Sequence, residues 1–101
     1  MSRIYLAGPM TGIADLNYTA FHAETARLRA LGHHVENPAE NPECSTWEGY
    51  MRMAIAQLVT CDTLALLPNW QESRGAVIER GLARELGMPT SPAKDINKKG
   101  D

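Results

Sequence analysis

The chain of 101 residues has no excess of positive charge. Its formal net charge is −2 at pH 7, so no basic field draws it to a DNA or RNA backbone. No apolar run is long enough to span a bilayer, and Met1-Ser-Arg passes at once into a strand-like run, without a basic segment followed by an apolar one. These absences predict a soluble, cytoplasmic protein with neither membrane nor nucleic-acid polymer as partner. The two cysteines, Cys44 and Cys61, lie apart without CxxC spacing, and His22, His33 and His34 lack the spacing of metal ligands. No metal is expected, and the thiols read as free and structural. Gly8-Pro-Met-Thr-Gly12 has neither the GxGxxG of a dinucleotide fingerprint nor the lysine of a GKT or GKS loop. That excludes a dehydrogenase or an ATPase, and no cofactor is expected. No internal repeat occurs, and the length suits one domain.

What is present alternates strand and helix. Arg3 to Ala7 is a β-type run closed by Gly8-Pro9, because proline cannot donate to a sheet ladder. Asn17 is placed as the N-cap of a helix carrying Tyr18, Phe21, Leu28 and Leu31, with Gly32 just beyond its end. His34 to Glu36 predicts a brief second strand ending at Asn37-Pro38, followed by a loop from Ala39 to Cys44. Ser45-Thr-Trp-Glu48 matches a capping box, and Trp47, Met51, Ala54, Ile55, Leu58 and Val59 form an apolar face of a helix reaching about Thr60. Thr63 to Leu67 is a buried-type strand broken by Pro68-Asn69. Ser73 then caps a third helix running through Leu86, with Gly87 past its end. A weak last strand is expected from Met88 to Ser91. Residues 1–91 are thus expected to form one domain, and 92–101, polar and without aromatics, a flexible tail.

This alternation predicts an α/β fold: a small doubly wound, Rossmann- or flavodoxin-like sheet of about four parallel strands in the order 2-1-3-4, with helices on both faces. Such sheets bind ligands beyond the carboxyl ends of their strands, where the winding direction reverses. The rule gathers Gly8 to Gly12, with Pro9 and Met10 among them, after strand one, Asn37 and Pro38 after strand two, and Pro68 to Gly75 after strand three. Asp62, ahead of strand three, falls at the opposite edge and reads as structural.

At the upper edge, Ser73, Arg74, Gly75 and Ala76 open a helix whose unpaired N–H groups and positive dipole end suit a phosphate. Serine and glycine there also serve simply to cap a helix. Glu79 lies in the second turn of the same helix. It either complements the dipole or points back into a phosphate-sized hollow, and it is the best candidate for chemistry in the chain. Trp70, on the loop, suits stacking on a planar base, whereas Trp47 is assigned to the core.

Three segments together carry a resemblance: YLAGPMTG with Asn17-Tyr-Thr-Ala-Phe21, Asn37-Pro38, and CDTLALLPNWQESRGAVIERGLARELGMP with its W-x-x-S-x-G-A-x-x-E spacing. They resemble the DUF4406 group, short proteins many of which are carried by phages. That group is similar to a compact branch of the nucleoside 2-deoxyribosyltransferase-like superfamily, which includes the 2′-deoxynucleoside 5′-monophosphate N-glycosidases. The resemblance extends to Pro89. It implies that Glu79 is a nucleophile attacking the anomeric carbon, that Tyr5 approaches its carboxylate, and that Ser73 binds a 5′-phosphate where the transferases carry an aspartate for a 5′-hydroxyl.

One departure stands out against that pattern. The related enzymes carry a second carboxylate on helix two that assists departure of the base, and the corresponding register here falls on Ala54, with Glu48 about two turns earlier as a substitute. Assistance of this kind is typically worth about a hundredfold to ten-thousandfold. The resemblance therefore implies one of two functions. The first is a nucleotide N-glycosidase or deoxyribosyltransferase using Glu79 and Tyr5, with phosphate held by Ser73, Arg74, Gly75 and Ala76 and the base walled by Trp70 or Met10. The second is a catalytically impaired protein that sequesters a nucleotide or a nucleotide-derived signal in the same pocket. Either is expected to act as a homo-oligomer.

Overall fold

A computed structural model of the protein describes residues 2–97. Four strands, β1 (Arg3–Ala7), β2 (His34–Glu36), β3 (Thr63–Leu66) and β4 (Thr90–Pro92), form one parallel sheet in the order β2-β1-β3-β4. Ile4 pairs with Val35 on one side and Thr63 on the other, so β1 is interior. Three helices connect them: α1 (Tyr18–Ala30), α2 (Trp47–Leu58) and α3 (Arg74–Glu85).

Side chains on a strand alternate between faces, and β1 sorts the core accordingly. Ile4 and Leu6 pack with Val35, Ala65, Leu67 and the α1 residues Phe21 and Leu28, whereas Tyr5 and Ala7 pack with Leu64 and Leu66 against Ala54 and Leu58 of α2 and Ala76 and Ala83 of α3. The chain therefore winds to β2 over one face and to β3 and β4 over the other. The reversal falls between β1 and β3, at whose carboxyl ends a crevice must open.

Local signals set most element ends. Ser73 Oγ accepts from Ala76 N–H at 3.1 Å, as the cap of α3. Gly32 and Gly87 take φ of +93° and +73° just past α1 and α3, where glycine carries no Cβ penalty. Other starts and ends differ from expectation. Helix α2 is capped by Thr46, whose Oγ1 accepts from Gly49 N–H at 3.0 Å, one residue later than the Ser45 capping box. Asn17 does not cap α1 with its side chain. It sits in the left-handed region together with Asp15 and Leu16 (φ 64°, 54° and 51°), and its Nδ2 instead donates to the Pro9 carbonyl at 2.9 Å. Left-handed backbone costs about 1–2 kcal/mol per non-glycine residue, so this turn between Gly12 and α1 depends on tertiary anchors.

The last strand is shifted onto Thr90–Pro92, with Pro92 tolerated because β4 is an edge. The segment expected to begin a flexible tail continues instead as a 3₁₀ turn, Ala93–Asp95. Ala93 is buried, and the Arg27 guanidinium donates to the carbonyls of Ala93 and Ile96, both at 2.7 Å. The remainder of that expected tail, 98–101, lies outside the described residues.

Candidate functional site

Helix α3 presents Ala76, Glu79 and Ala83 as its buried row. The spacing puts all three on one face, and the two alanines let the helix sit close to the sheet. Glu79 is consequently directed inward, at 5% exposure, toward the face of β1 that carries Tyr5. The Tyr5 hydroxyl, fully buried, donates to Glu79 Oε2 at 2.5 Å. Burial pushes the Glu79 carboxyl up to about 7, with the Tyr5 hydrogen bond pulling the other way. Burial, reinforced by the Glu79 charge, holds the Tyr5 phenol well above its ordinary value, so it stays a donor.

Above this pair opens a cavity of about 330 Å³. Glu79, Ser73, Gly75 and Ala76 line it from α3, Gly8, Met10 and Thr11 from the turn after β1, and Trp47, Tyr50 and Met51 from α2. Ala7, Leu16, Tyr18, Phe21, Pro38 and the segment from Asn41 to Cys44 complete its walls. The site lies where the winding rule puts it.

Six of the sequence-predicted residues thus meet: Gly8, Met10, Ser73, Gly75, Ala76 and Glu79, with Tyr5 beneath them. The glycines also answer to packing. A Cβ on Gly8 would lie 2.7 Å from Leu67 Cβ, and one on Gly75 would lie 3.1 Å from Met51 Sδ. Four predicted residues stand elsewhere. Pro9 is buried, with its carbonyl held by Asn17. Asn37 is buried as a cap: its Oδ1 accepts from Ala39 N–H at 2.9 Å, and its Nδ2 lies 3.3 Å from His22 Nδ1. Arg74 is exposed, its guanidinium 4.1 Å from the centroid of the Trp47 ring.

Trp70 requires the largest correction. Asn69, at φ 67°, and the 3₁₀ turn Trp70–Glu72 send it away from the cavity, against the α2–α3 side of the core and 5.4 Å from the Arg80 guanidinium. Trp70 lines instead a smaller hollow with Pro68, Asn69, Pro92 and Lys94. The tryptophan in the cavity is Trp47, which the helical pattern had assigned to the core. The row Trp47, Tyr50, Met51, Ala54 is continuous, but only its carboxyl-terminal part reaches the sheet; the first turn overhangs the strand ends. Nothing in the periodicity marks where packing gives way to an open wall.

Ala54 is fully buried among Tyr5, Leu58 and Leu64. Glu48, the substitute the resemblance offered, is exposed and is not among the residues of the cavity wall. Glu43, in the loop before α2, is the other carboxylate on that wall. At the opposite edge Asp62 is a strut, accepting from Arg3 N–H at 2.9 Å and from the Thr63 hydroxyl at 2.7 Å. Among the described residues no group of histidine, cysteine and carboxylate side chains gathers as a metal ion would need, and no helix is long and apolar enough to cross a membrane.

Residues 2–91 match the family model described as "Domain of unknown function (DUF4406)". No match was found among curated proteins. Among solved structures, a 2-deoxyribosyltransferase from the psychrotolerant bacterium Bacillus psychrosaccharolyticus is similar at 26% identity and a TM-score of 0.65, over 88% of this chain and 69% of that one. A conserved protein from Enterococcus faecalis V583 is similar at 27% identity and a TM-score of 0.66, over 89% of this chain and 61% of that one. The chain thus spans about two thirds of the length of these neighbours, and its sheet and helices follow a deoxyribosyltransferase-like fold.

Proposed function

We propose, from the premise that the chain belongs to the DUF4406 family, that it takes a nucleoside 5′-monophosphate into this cavity and acts on the N-glycosidic bond through Glu79. The observation that carries the reading is the hydrogen bond from Tyr5 to Glu79 on the cavity floor. A buried carboxyl held by a phenol, facing a space large enough for a small molecule, has no role in packing that an apolar side chain would not fill better.

In this reading the free oxygen of Glu79 attacks the anomeric carbon while Tyr5 fixes the other oxygen. A C–O bond forms as the C–N bond breaks, its electron pair leaving with the base, and water then hydrolyses the glycosyl ester or a second base displaces it. The phosphate rests at the start of α3, where the N–H groups of Arg74 and Gly75 have no partner within the helix. Ser73 Oγ accepts from Ala76 and keeps its own proton for the phosphate. Two thirds of a deoxyribosyltransferase's length, the fold and the Tyr5–Glu79 pair support the assignment. Self-association through the exposed Val77 and Ile78 of α3 belongs to the same reading.

Ala54 favours a second reading, a protein that binds the nucleotide and leaves it intact. Incubation with a panel of ribo- and deoxynucleoside monophosphates, with chromatography for released base, separates the two. The enzyme releases base from at least one member, and Glu79→Gln abolishes release. The binder gains thermal stability, about 2.7 kcal/mol at a hundredfold excess over Kd, and releases nothing. A panel that neither stabilises the protein nor is cleaved would rule out both.

A further inference from the structure

The cavity holds a hydrogen-bond donor with a poor partner. Tyr50, on the wall-forming turn of α2, directs its hydroxyl to Met10 Sδ at 3.1 Å. A thioether is a weak acceptor, so the phenol gains little there and loses little by exchanging it for an oxygen or nitrogen. The Glu79 charge adds to burial in raising the Tyr50 phenol well above its ordinary value, so the two groups share one electrostatic environment and Tyr50 keeps its proton. Tyr50 also stands one turn before Ala54, on the helix face that lacks an acid.

The geometry points to Tyr50 as the group that stabilises the departing base, its hydroxyl turning from Met10 to a nitrogen or oxygen of that base. This rests on the glycosidic reading above. As the C–N bond breaks, the electron pair moves onto the base, and the Tyr50 hydrogen bond strengthens with that charge. The phenol does not ionise. The base takes its proton from a water molecule, and the hydroxide left behind hydrolyses the Glu79 ester, so the sum is nucleotide plus water giving free base and sugar phosphate. Hydrogen-bond donation replaces the proton transfer that a helix-two carboxylic acid would supply.

The test is Tyr50→Phe, which keeps the ring and its packing, assayed on deoxynucleoside monophosphates whose bases differ widely in N–H acidity. Bases that leave poorly should slow by about a hundredfold, the effect typical of removing one transition-state donor. Bases that leave well should slow little, so the plot of log rate against leaving-group pKa steepens. Binding of intact nucleotide, measured with Tyr50→Phe in a Glu79→Gln background, should change by less than about threefold, because the ground-state partner is only a thioether; this also verifies folding. A uniform slowing across the series, or none, overturns the assignment of Tyr50 while leaving Glu79 chemistry intact. Failure of the unaltered protein to release any base removes the glycosidic reading and this one with it.

Discussion

At the scale of single residues, Glu79 couples chemistry to stability with opposite signs. Its carboxyl has an ordinary value of 4.5 and is raised to about 7 in the fold. Between those values the native state binds a proton that the unfolded chain does not, so stability is fullest below pH 4.5 and declines as pH rises to 7. The loss is about 3 kcal/mol. Glu79→Gln removes this titration. Urea unfolding at pH 5 and pH 8 should show the variant gaining about 2.5 kcal/mol relative to the parent across the interval, whereas parallel behaviour would mean that the carboxyl is solvated. In the proposed reaction base release runs the other way, since only the carboxylate would attack. Its rate should rise about tenfold per pH unit up to 7 and then level.

At the scale of elements, α2 limits what can be added to the cavity wall. Restoring an acid by Ala54→Asp places it at a fully buried position, facing Tyr5 and the sheet. An unpaired buried charge costs roughly 3–5 kcal/mol, so the variant is expected to unfold at a lower temperature in calorimetry and to show no gain in base release. The same helix shows what a sequence conveys and what it hides. Its existence, apolar face and approximate length follow from three- and four-residue spacing. Thr46 and Ser45 are chemically equivalent caps, however, and only tertiary geometry selects between them. Trp47 and Trp70 were assigned in reverse for a related reason: periodicity identifies a face, but the length of the sheet opposite decides which part of that face is core and which is wall. The left-handed turn at Asp15, Leu16 and Asn17 had no signal at all, because none of the three is glycine and the contact that anchors it, Asn17 to Pro9, spans the turn.

At the scale of the whole molecule, the strand order and the position of the cleft were legible because alternation and winding direction leave few alternatives. The surface for the proposed self-association was not, since Val77 and Ile78 look in sequence like any other apolar pair on α3. Both are exposed, at 45% and 40%, on the helix that carries Glu79. Light scattering should give a mass that is a multiple of the 11.1 kDa chain, and paired substitution of Val77 and Ile78 by lysine should return it to one chain. A monomer in the parent protein would remove self-association from the proposed function.

The hydrogen bond from Tyr5 separates aim from access. It hangs the buried carboxyl from an interior strand paired on both sides, while the rim of the hollow is supplied by connecting segments and helix ends. Substitutions on the rim can therefore change which guest the hollow admits without re-aiming the group underneath.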